Sequence, residues 1–254
     1  MVEPGSSLKV DLSSYCSDFK RITSDLLYVD RTINRMETQT DIDVIGRFWI
    51  FTKATICKEE ICVFRKGGKL TDEGAIFVFV PPFSIIEWGH SPGSLRSESY
   101  FSTVPIPEDL PTEAIAFKSC GDCFPQTAEE VFEIVRNARD VRIISKEEKV
   151  SAIALKTRQI LIQTYSEPVS LSKIAWKLKI AHPDMTRAFR ECYGCTPVVY
   201  RTRLRTMDAL WQLLTQDHPI ATTAFEVGFG DVSRFNKQFR SHMHAAPSKF
   251  VFRK

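Results

Sequence analysis

Apolar positions in the last hundred residues of the chain keep step with one another. Ala175, Leu178 and Ile180 recur 49 residues on as Ala224, Val227 and Phe229; Met185, Phe189, Pro197 and Tyr200 recur 50 residues on as Phe235, Phe239, Pro247 and Phe250. A repeat at this period is one supersecondary unit used twice. The spacing predicts a short helix, a tight turn, and a second helix with apolar residues four apart. A first helix is expected from Ile153 to Tyr165, ending near Glu167 and Pro168. Ser170 or Ser172 then caps a helix from Leu171 to Lys179, and after Ile180 and Ala181 another runs from His182 to Tyr193, stopped by Gly194. A long helix spans Pro197 to Gln216, with proline at a tolerated first-turn position. The second unit starts at Pro219 and Ile220, turns at Gly228, and its second helix runs from the N-cap Asp231 to about His242. Two such units in tandem point to a reader of double-stranded DNA.

The texture before residue 120 differs. Short runs rich in Ile, Val, Phe and Trp recur at Leu26–Val29, Ile45–Ile56, Ile61–Phe64, Ala75–Val80, Ile85–Trp88 and Ala114–Phe117. Gly67-Gly68, Pro81-Pro82 and Ser91-Pro92-Gly93 punctuate them, which predicts an antiparallel sandwich or small barrel. Pro81-Pro82 cannot lie within a central strand, because neither nitrogen donates to a ladder. Leu12, Tyr15, Phe19 and Ile22 have helical spacing and predict a helix over residues 11–24. Thr127 with Glu130 forms a capping box opening a helix whose apolar stripe is Val131, Ile134, Val135, Ala138 and Val141. That stripe either packs on its own sheet, the reading slightly preferred, or serves a second copy of the chain. The charged run SKEEK at Ser145–Lys149 is read as the linker, giving domains of about 1–145 and 150–254.

Charge sharpens this division. Residues 151–254 hold 16 Lys and Arg against 7 Asp and Glu, while residues 1–150 hold 18 against 24. The basic half is suited to a polyanion, whose counterions it displaces. No apolar run approaches a membrane span, and the N-terminus MVEPGSSLKV lacks the basic-then-apolar pattern of an export signal, so a cytoplasmic protein is expected.

At this point the residues resemble the AraC/XylS family of bacterial transcription regulators. The strongest portion is IATTAFEVGFGDVSRFNKQFRSHMHAAPSKF, where Ile220, Ala221, Ala224, Val227, Gly228, Phe229, Asp231, Phe235, Phe239, Pro247 and Phe250 fall where the family pattern has them. The first unit, LSKIAWKLKIAHPDMTRAFRECYGCTP, matches more loosely; Lys179 replaces a glycine often used in the turn, and His182-Pro183-Asp184 departs from the usual start. The resemblance implies an α+β chain: a β-rich, cupin-like N-terminal domain for sensing or oligomerisation, followed by an all-α domain of two helix-turn-helix units joined by a long helix. It also implies two recognition helices entering successive major-groove segments. The outward residues expected to meet DNA are His182, Pro183, Thr186, Arg187 and Arg190 on the first helix, and Val232, Ser233, Arg234, Asn236, Lys237 and Arg240 on the second. Arg187 is expected at guanine O6 and N7, Asn236 at adenine, and Lys237 and Arg240 at guanine or phosphate.

Other chemistry carries less weight. Cys57, Cys62, Cys120 and Cys123 define the alternative, a thiol- or zinc-based stress sensor, but their spacing is irregular. Cys192 and Cys195 are read as packing residues. Residues 1–150 contain one histidine, His90, so a metal-dependent cupin enzyme is not expected, and no cofactor is called for. Trp49, Trp88, Phe51, Phe77, Phe79 and Phe83 are more readily core than ligand pocket. The partners expected are double-stranded DNA and, as further candidates, RNA polymerase, a small-molecule effector and a second copy of the chain, with no membrane.

Overall fold

The computed structural model describes residues 5–12, 15–37, 39–56, 62–64, 68–70, 75–90, 92–118, 124–144 and 150–252. The first half is built from β1 (Ser7–Asp11), β2 (Tyr15–Arg21), β3 (Leu26–Arg35), β4 (Gln39–Val44), β5 (Trp49–Ile56), β6 (Cys62–Phe64), β7 (Gly68–Leu70), β8 (Ala75–Val80), β9 (Ile85–His90), β10 (Gly93–Ser102), β11 (Ile115–Lys118), α1 (Ala128–Arg136) and β12 (Arg139–Ile143). One antiparallel sheet has the order β1-β2-β3-β10-β5-β8-β11-β12, and a second has β4-β9-β6-β7. The second half is helical: α2 (Ala152–Thr164), α3 (Leu171–Lys177), α4 (His182–Tyr193), α5 (Pro197–Thr215), α6 (Ile220–Glu226), α7 (Val232–Met243) and a closing 3-10 turn at Pro247–Phe250. None of the described helices is long and apolar enough to cross a membrane.

Strict alternation gives the large sheet two different faces. On one, Trp49, Phe51, Phe77, Phe79 and Tyr100 form a core with Val131, Phe132 and Val135 of α1. Of the six aromatic residues read as core, Trp49, Phe51, Phe77 and Phe79 lie in this one, with Trp49 Nε1 donating to Val104 O, while Phe83 is partly buried against the first helix-turn-helix. The α1 stripe packs on its own sheet, which leaves little of it for a second copy. Thr127 caps α1 as expected, its side chain accepting from Glu130 N.

Two expectations fail here. Residues 15–21 form a strand instead of a helix, because apolar residues four apart lie on one face under either periodicity. Ser17, Phe19 and Arg21 alternate inward, and β2 pairs with β3 from Tyr15↔Ile33 to Arg21↔Leu27. Val141 is not part of the α1 stripe either. The helix stops at Arg136, the chain takes a left-handed step at Asp140 (φ 52°), and Val141 stands half exposed on β12, paired with β11. The SKEEK linker lies outside the described residues.

The opposite face of the large sheet meets the helical half. Phe19, Leu27, Val29, Val78 and Phe101 share one core with Trp211, Leu214, Phe239 and Phe250. Phe48 is fully buried and stacks between Phe101 (5.4 Å) and Trp211 (5.5 Å). Gly46 is close enough to α5 that a Cβ there would lie 3.1 Å from Met207 Cβ. Polar groups stitch the same seam. Arg21 donates to Leu214 O at 2.9 Å, Tyr15 to Met243 O at 2.5 Å, and Arg203 to Ile42 O. Phe83, in the left-handed region (φ 62°), presents its carbonyl to Arg158 at 3.0 Å and to Tyr200 at 3.4 Å. Asp208 of α5 is buried, yet it pairs with Arg47 at 2.8 Å and accepts from Tyr165 at 3.0 Å.

Removing the ring at this seam is costly. Phe48→Ala is expected to lower unfolding free energy by about 3–5 kcal/mol, read as a fall in the denaturant midpoint at unchanged m. Asp208 titrates against the fold. Burial raises its carboxyl above the ordinary value, and the Arg47 charge offsets only part of this. Its contribution to stability is therefore fully present below the unfolded pKa of about 3.9 and is lost as pH rises through the raised folded value. Asp208→Asn should gain stability relative to wild type as pH rises from the unfolded value of about 3.9 through the raised folded one; parallel pH curves for the two proteins would show that Asp208 is not the titrating group.

Candidate nucleic-acid interface

The two helix-turn-helix units share their backbone geometry. In the first, Ile180 N donates to Ala175 O at 3.1 Å and Lys179 N to Trp176 O at 3.0 Å. In the second, Phe229 N donates to Ala224 O at 2.9 Å and Gly228 N to Phe225 O at 2.9 Å. Both are Schellman closures, and each needs one left-handed residue. Gly228 supplies it at φ 92°, and Lys179 supplies it at φ 57° with the strain of a side chain. The repeat extends to the ends of the second helices, where Gly194 (φ 71°) and His244 (φ 57°) are both left-handed.

Aromatic packing fixes each second helix to its own unit. Phe189 meets Tyr193 at 4.7 Å and Tyr200 at 5.5 Å; Phe239 meets Phe235 at 5.4 Å and Phe250 at 5.5 Å. Met185, Phe189, Phe235 and Phe239 are fully buried. One face of α4 and of α7 is thereby spent, and the other is left to solvent. Asp231 caps α7, accepting from Arg234 N at 2.6 Å. The first-unit helix α3 is capped by Ser170, which accepts from Lys173 N.

The structure places the sequence-predicted residues on those free faces. His182, Pro183, Arg187 and Arg190 are exposed and Thr186 partly so; with Glu191 and Thr196 they line an open concavity. On α7, Ser233, Arg234, Lys237 and Arg240 are exposed, and Val232 and Asn236 partly so. Each α4 residue of the set has an α7 counterpart 50 positions on. Arg187 is engaged before any partner arrives, its guanidinium donating to Asp184 at 2.8 Å. The Thr186 hydroxyl donates to His182 O at 3.0 Å. Sequence reasoning missed Glu191 and Thr196. Glu191 lies one residue beyond Arg190 on α4, but Thr196 reaches the concavity only because α5 starts beside α4.

The cysteine alternative gains no support. Cys57, Cys120 and Cys123 lie outside the described residues, and of Cys62 only the strand pairing with Leu70 is described. Among the described residues no cluster could hold a metal ion. Cys195 is buried, with its thiol pushed up by that burial, and Cys192 Sγ accepts from Ser151 N at 3.4 Å, in keeping with packing roles.

Two helix-turn-helix units hung on one shared helix define a double helix-turn-helix of the DNA-binding kind. Residues 174–253 match the family model described as a helix-turn-helix domain, in line with the resemblance of that part of the chain to the AraC/XylS family. The chain is 33% identical over 87 residues to the HTH-type transcriptional activator RhaS of Pectobacterium carotovorum subsp. carotovorum (strain PC1), a match covering 34% of this chain and 31% of that relative. The chain thus aligns with less than a third of that relative's length. RhaS of Yersinia pestis (strain Pestoides F) is similar at 31% identity over 87 residues, 34% of this chain and 32% of that one. Over a longer span the fold is similar to that of ToxT from Vibrio cholerae, with a TM-score of 0.54 at 11% identity over 90% of this chain and 98% of that one. ToxT of strain SCE256, solved with an unsaturated fatty acid bound, gives 0.52 at 14% identity over 96% and 97%. That likeness confirms the β-rich half followed by the helical half.

The two turns respond oppositely to substitution. A Cβ at Gly228 would lie 2.3 Å from Ser166 O, so Gly228→Ala should cost more than the roughly 1–2 kcal/mol of left-handed strain alone. Lys179→Gly, at the equivalent position, should instead stabilise by about 1 kcal/mol. Thermal melts of the two variants moving in the same direction would contradict this account.

Proposed function

We propose that the chain is a sequence-specific DNA-binding regulator of transcription and not an enzyme. Its recognition helices α4 and α7 enter successive major-groove segments about 34 Å apart on one side of the duplex. The observation that carries this reading is the duplicated free face, in which Pro183, Arg187 and Arg190 of α4 and their equivalents Ser233, Lys237 and Arg240 of α7 are exposed, while Val232 packs against the core. Arg187 reads a base edge, most simply guanine; Asp184, which holds it in the free chain, presents the guanidinium and yields to the base. Asn236 suits adenine, while Arg190, Lys237 and Arg240 suit guanine or phosphate.

The domain of about 1–145 controls how the domain of about 150–254 is presented to paired half-sites, by sensing or by self-association. RNA polymerase and a second copy of the chain are the macromolecular partners of this reading besides DNA. The ligand chemistry that the β half best supports is an anionic amphiphile of the kind found bound to ToxT. The half-buried guanidinium of Arg31 lies over the Tyr15 ring at 5.5 Å and donates to Ser17 Oγ at 2.9 Å, on a sheet face that also carries Ser97 and Ser99. Burial lowers the Arg31 pKa despite the opposing Tyr15 and Asp43 charges, and a ligand carboxylate there would offset more of that cost.

Arg187→Ala combined with Lys237→Ala tests the DNA reading. Each good base contact is worth about 1–3 kcal/mol, so the double variant should lose roughly 30-fold to 20,000-fold in affinity for a duplex selected from a random pool. Discrimination at the contacted base pairs should relax with it. Unchanged affinity and selectivity would remove the proposal.

A further inference from the structure

Arg201 and Arg205 stand one turn apart on α5 and reach the same stretch of chain, between α2 and α3. Arg201 Nη1 donates to Val169 O at 2.5 Å. Arg205 donates through Nε to Tyr165 O at 2.5 Å and through Nη2 to Glu167 O at 3.0 Å. The turn of the second unit lands on this stretch as well, with Gly228 against Ser166 O. The Arg205 guanidinium lies 5.9 Å over the Phe229 ring of that turn. Phe229 packs edge-on to Phe235, 5.3 Å away, and the residue before Phe235 is the exposed Arg234. The Arg201 and Arg205 guanidinium groups therefore sit where the two units meet, near enough to Arg234 for its charge to act on both.

Nothing described neutralises them. Their acceptors are backbone carbonyls, and among the described residues none of the three forms an ion pair with a carboxylate. Burial and the Arg234 charge both work against the charged form of Arg201. For Arg205, burial followed by the Arg201 and Arg234 charges brings the pKa down to about 10. Loop stapling accounts for the carbonyl contacts of Arg201 and Arg205. It does not account for Arg234, whose side chain makes no hydrogen bond within the described fold, yet whose charge is set beside theirs.

We propose that Arg201, Arg205 and Arg234 form a phosphate-binding cluster at the junction of the two units, gripping the DNA backbone that passes between the two major-groove segments. The proposal rests on the DNA-binding reading above and deepens it. The cluster meets a phosphodiester with planar donor forks, which suit phosphate oxygens better than ammonium groups do. It carries no base information; it fixes the register of both recognition helices on one duplex. Because Arg201 and Arg205 also hold the α2–α3 connection, Arg234 is the position at which the cluster can be tested without disturbing the fold.

The experiment uses the full chain and a duplex recovered by selection from a random pool, with affinity measured across a salt series. Arg234→Gln should reduce the slope of log K against log salt by about 0.9 for one lost phosphate contact, while leaving the ranking of base-pair substitutions unchanged. A neutral methylphosphonate midway between the contacted segments should weaken wild type and cost Arg234→Gln much less. Arg201→Lys, which retains the charge, should keep most of the wild-type slope. A wild-type slope in Arg234→Gln, or a loss confined to particular base pairs, overturns the cluster while leaving the DNA reading standing. Absence of any salt-dependent duplex binding by wild type overturns both.

Discussion

Helix α5 has no free face over its second half, and the rest of the molecule is arranged around that fact. Asp208, Ala209, Leu210, Trp211, Gln212, Leu213 and Leu214 are consecutive and all buried. A helix can be covered all round only if different elements supply each side. Here the first half of α5 carries Tyr200 and Leu204 in the core of the first helix-turn-helix, and the second half shares a core with α6, α7 and the large sheet. Three bodies are therefore packed on one rod. The charge of Asp208 on that rod is tolerable because its neighbours bring partners, Arg47 and Tyr165. Interiors at this density do not deform gradually. The β half meets the rod directly, through Gly46 and Phe48 against Met207 and Trp211.

The helical half was legible almost residue by residue, and the β half was not, for a physical reason. Helix ends are written in local chemistry. Ser170 and Asp231 as caps, Pro197 at a first turn, and Gly194 and Gly228 at left-handed positions each fix a boundary without reference to anything distant. Strands are fixed by their neighbours. β10, GSLRSESYFS, looks like a polar loop in isolation, yet it is the central strand between β3 and β5, with Ser97, Ser99 and Ser102 buried. Its serines are inward because the sheet around them demands it; Ser99, for example, lies 3.0 Å from the Thr52 hydroxyl. The misread of residues 15–21 has the same origin. A spacing of four satisfies both periods, and only the pairing with β3 decides between them.

The free faces of α4 and α7 were also readable, because burying one side of an amphipathic helix exposes the other. What the sequence hid were contacts made by groups distant along the chain. Thr196 joins the α4 surface only because α5 starts beside it. Arg201 and Arg205 look like ordinary solvated residues of a long helix until the α2–α3 connection is seen folded over them.

The two copies are not equivalent, and the difference bears on what each contributes to a DNA complex. On α4 the exposed cations Arg187 and Arg190 are balanced by Asp184 and Glu191; the α7 counterparts of those acids are Arg234 and Ser241. α7 thus presents Arg234, Lys237 and Arg240 with only its capping Asp231 as counter-charge, and that carboxylate is already engaged by the helix end. Phosphate attraction scales with uncompensated charge, so on the proposed reading the second unit would supply more of the affinity that is indifferent to sequence. The first unit, with Arg187 held by Asp184, would give up that pairing only to a base that repays it, and its discrimination would follow from that competition. With the two units joined by α5, the more cationic copy would then raise the local concentration of the other on the same duplex.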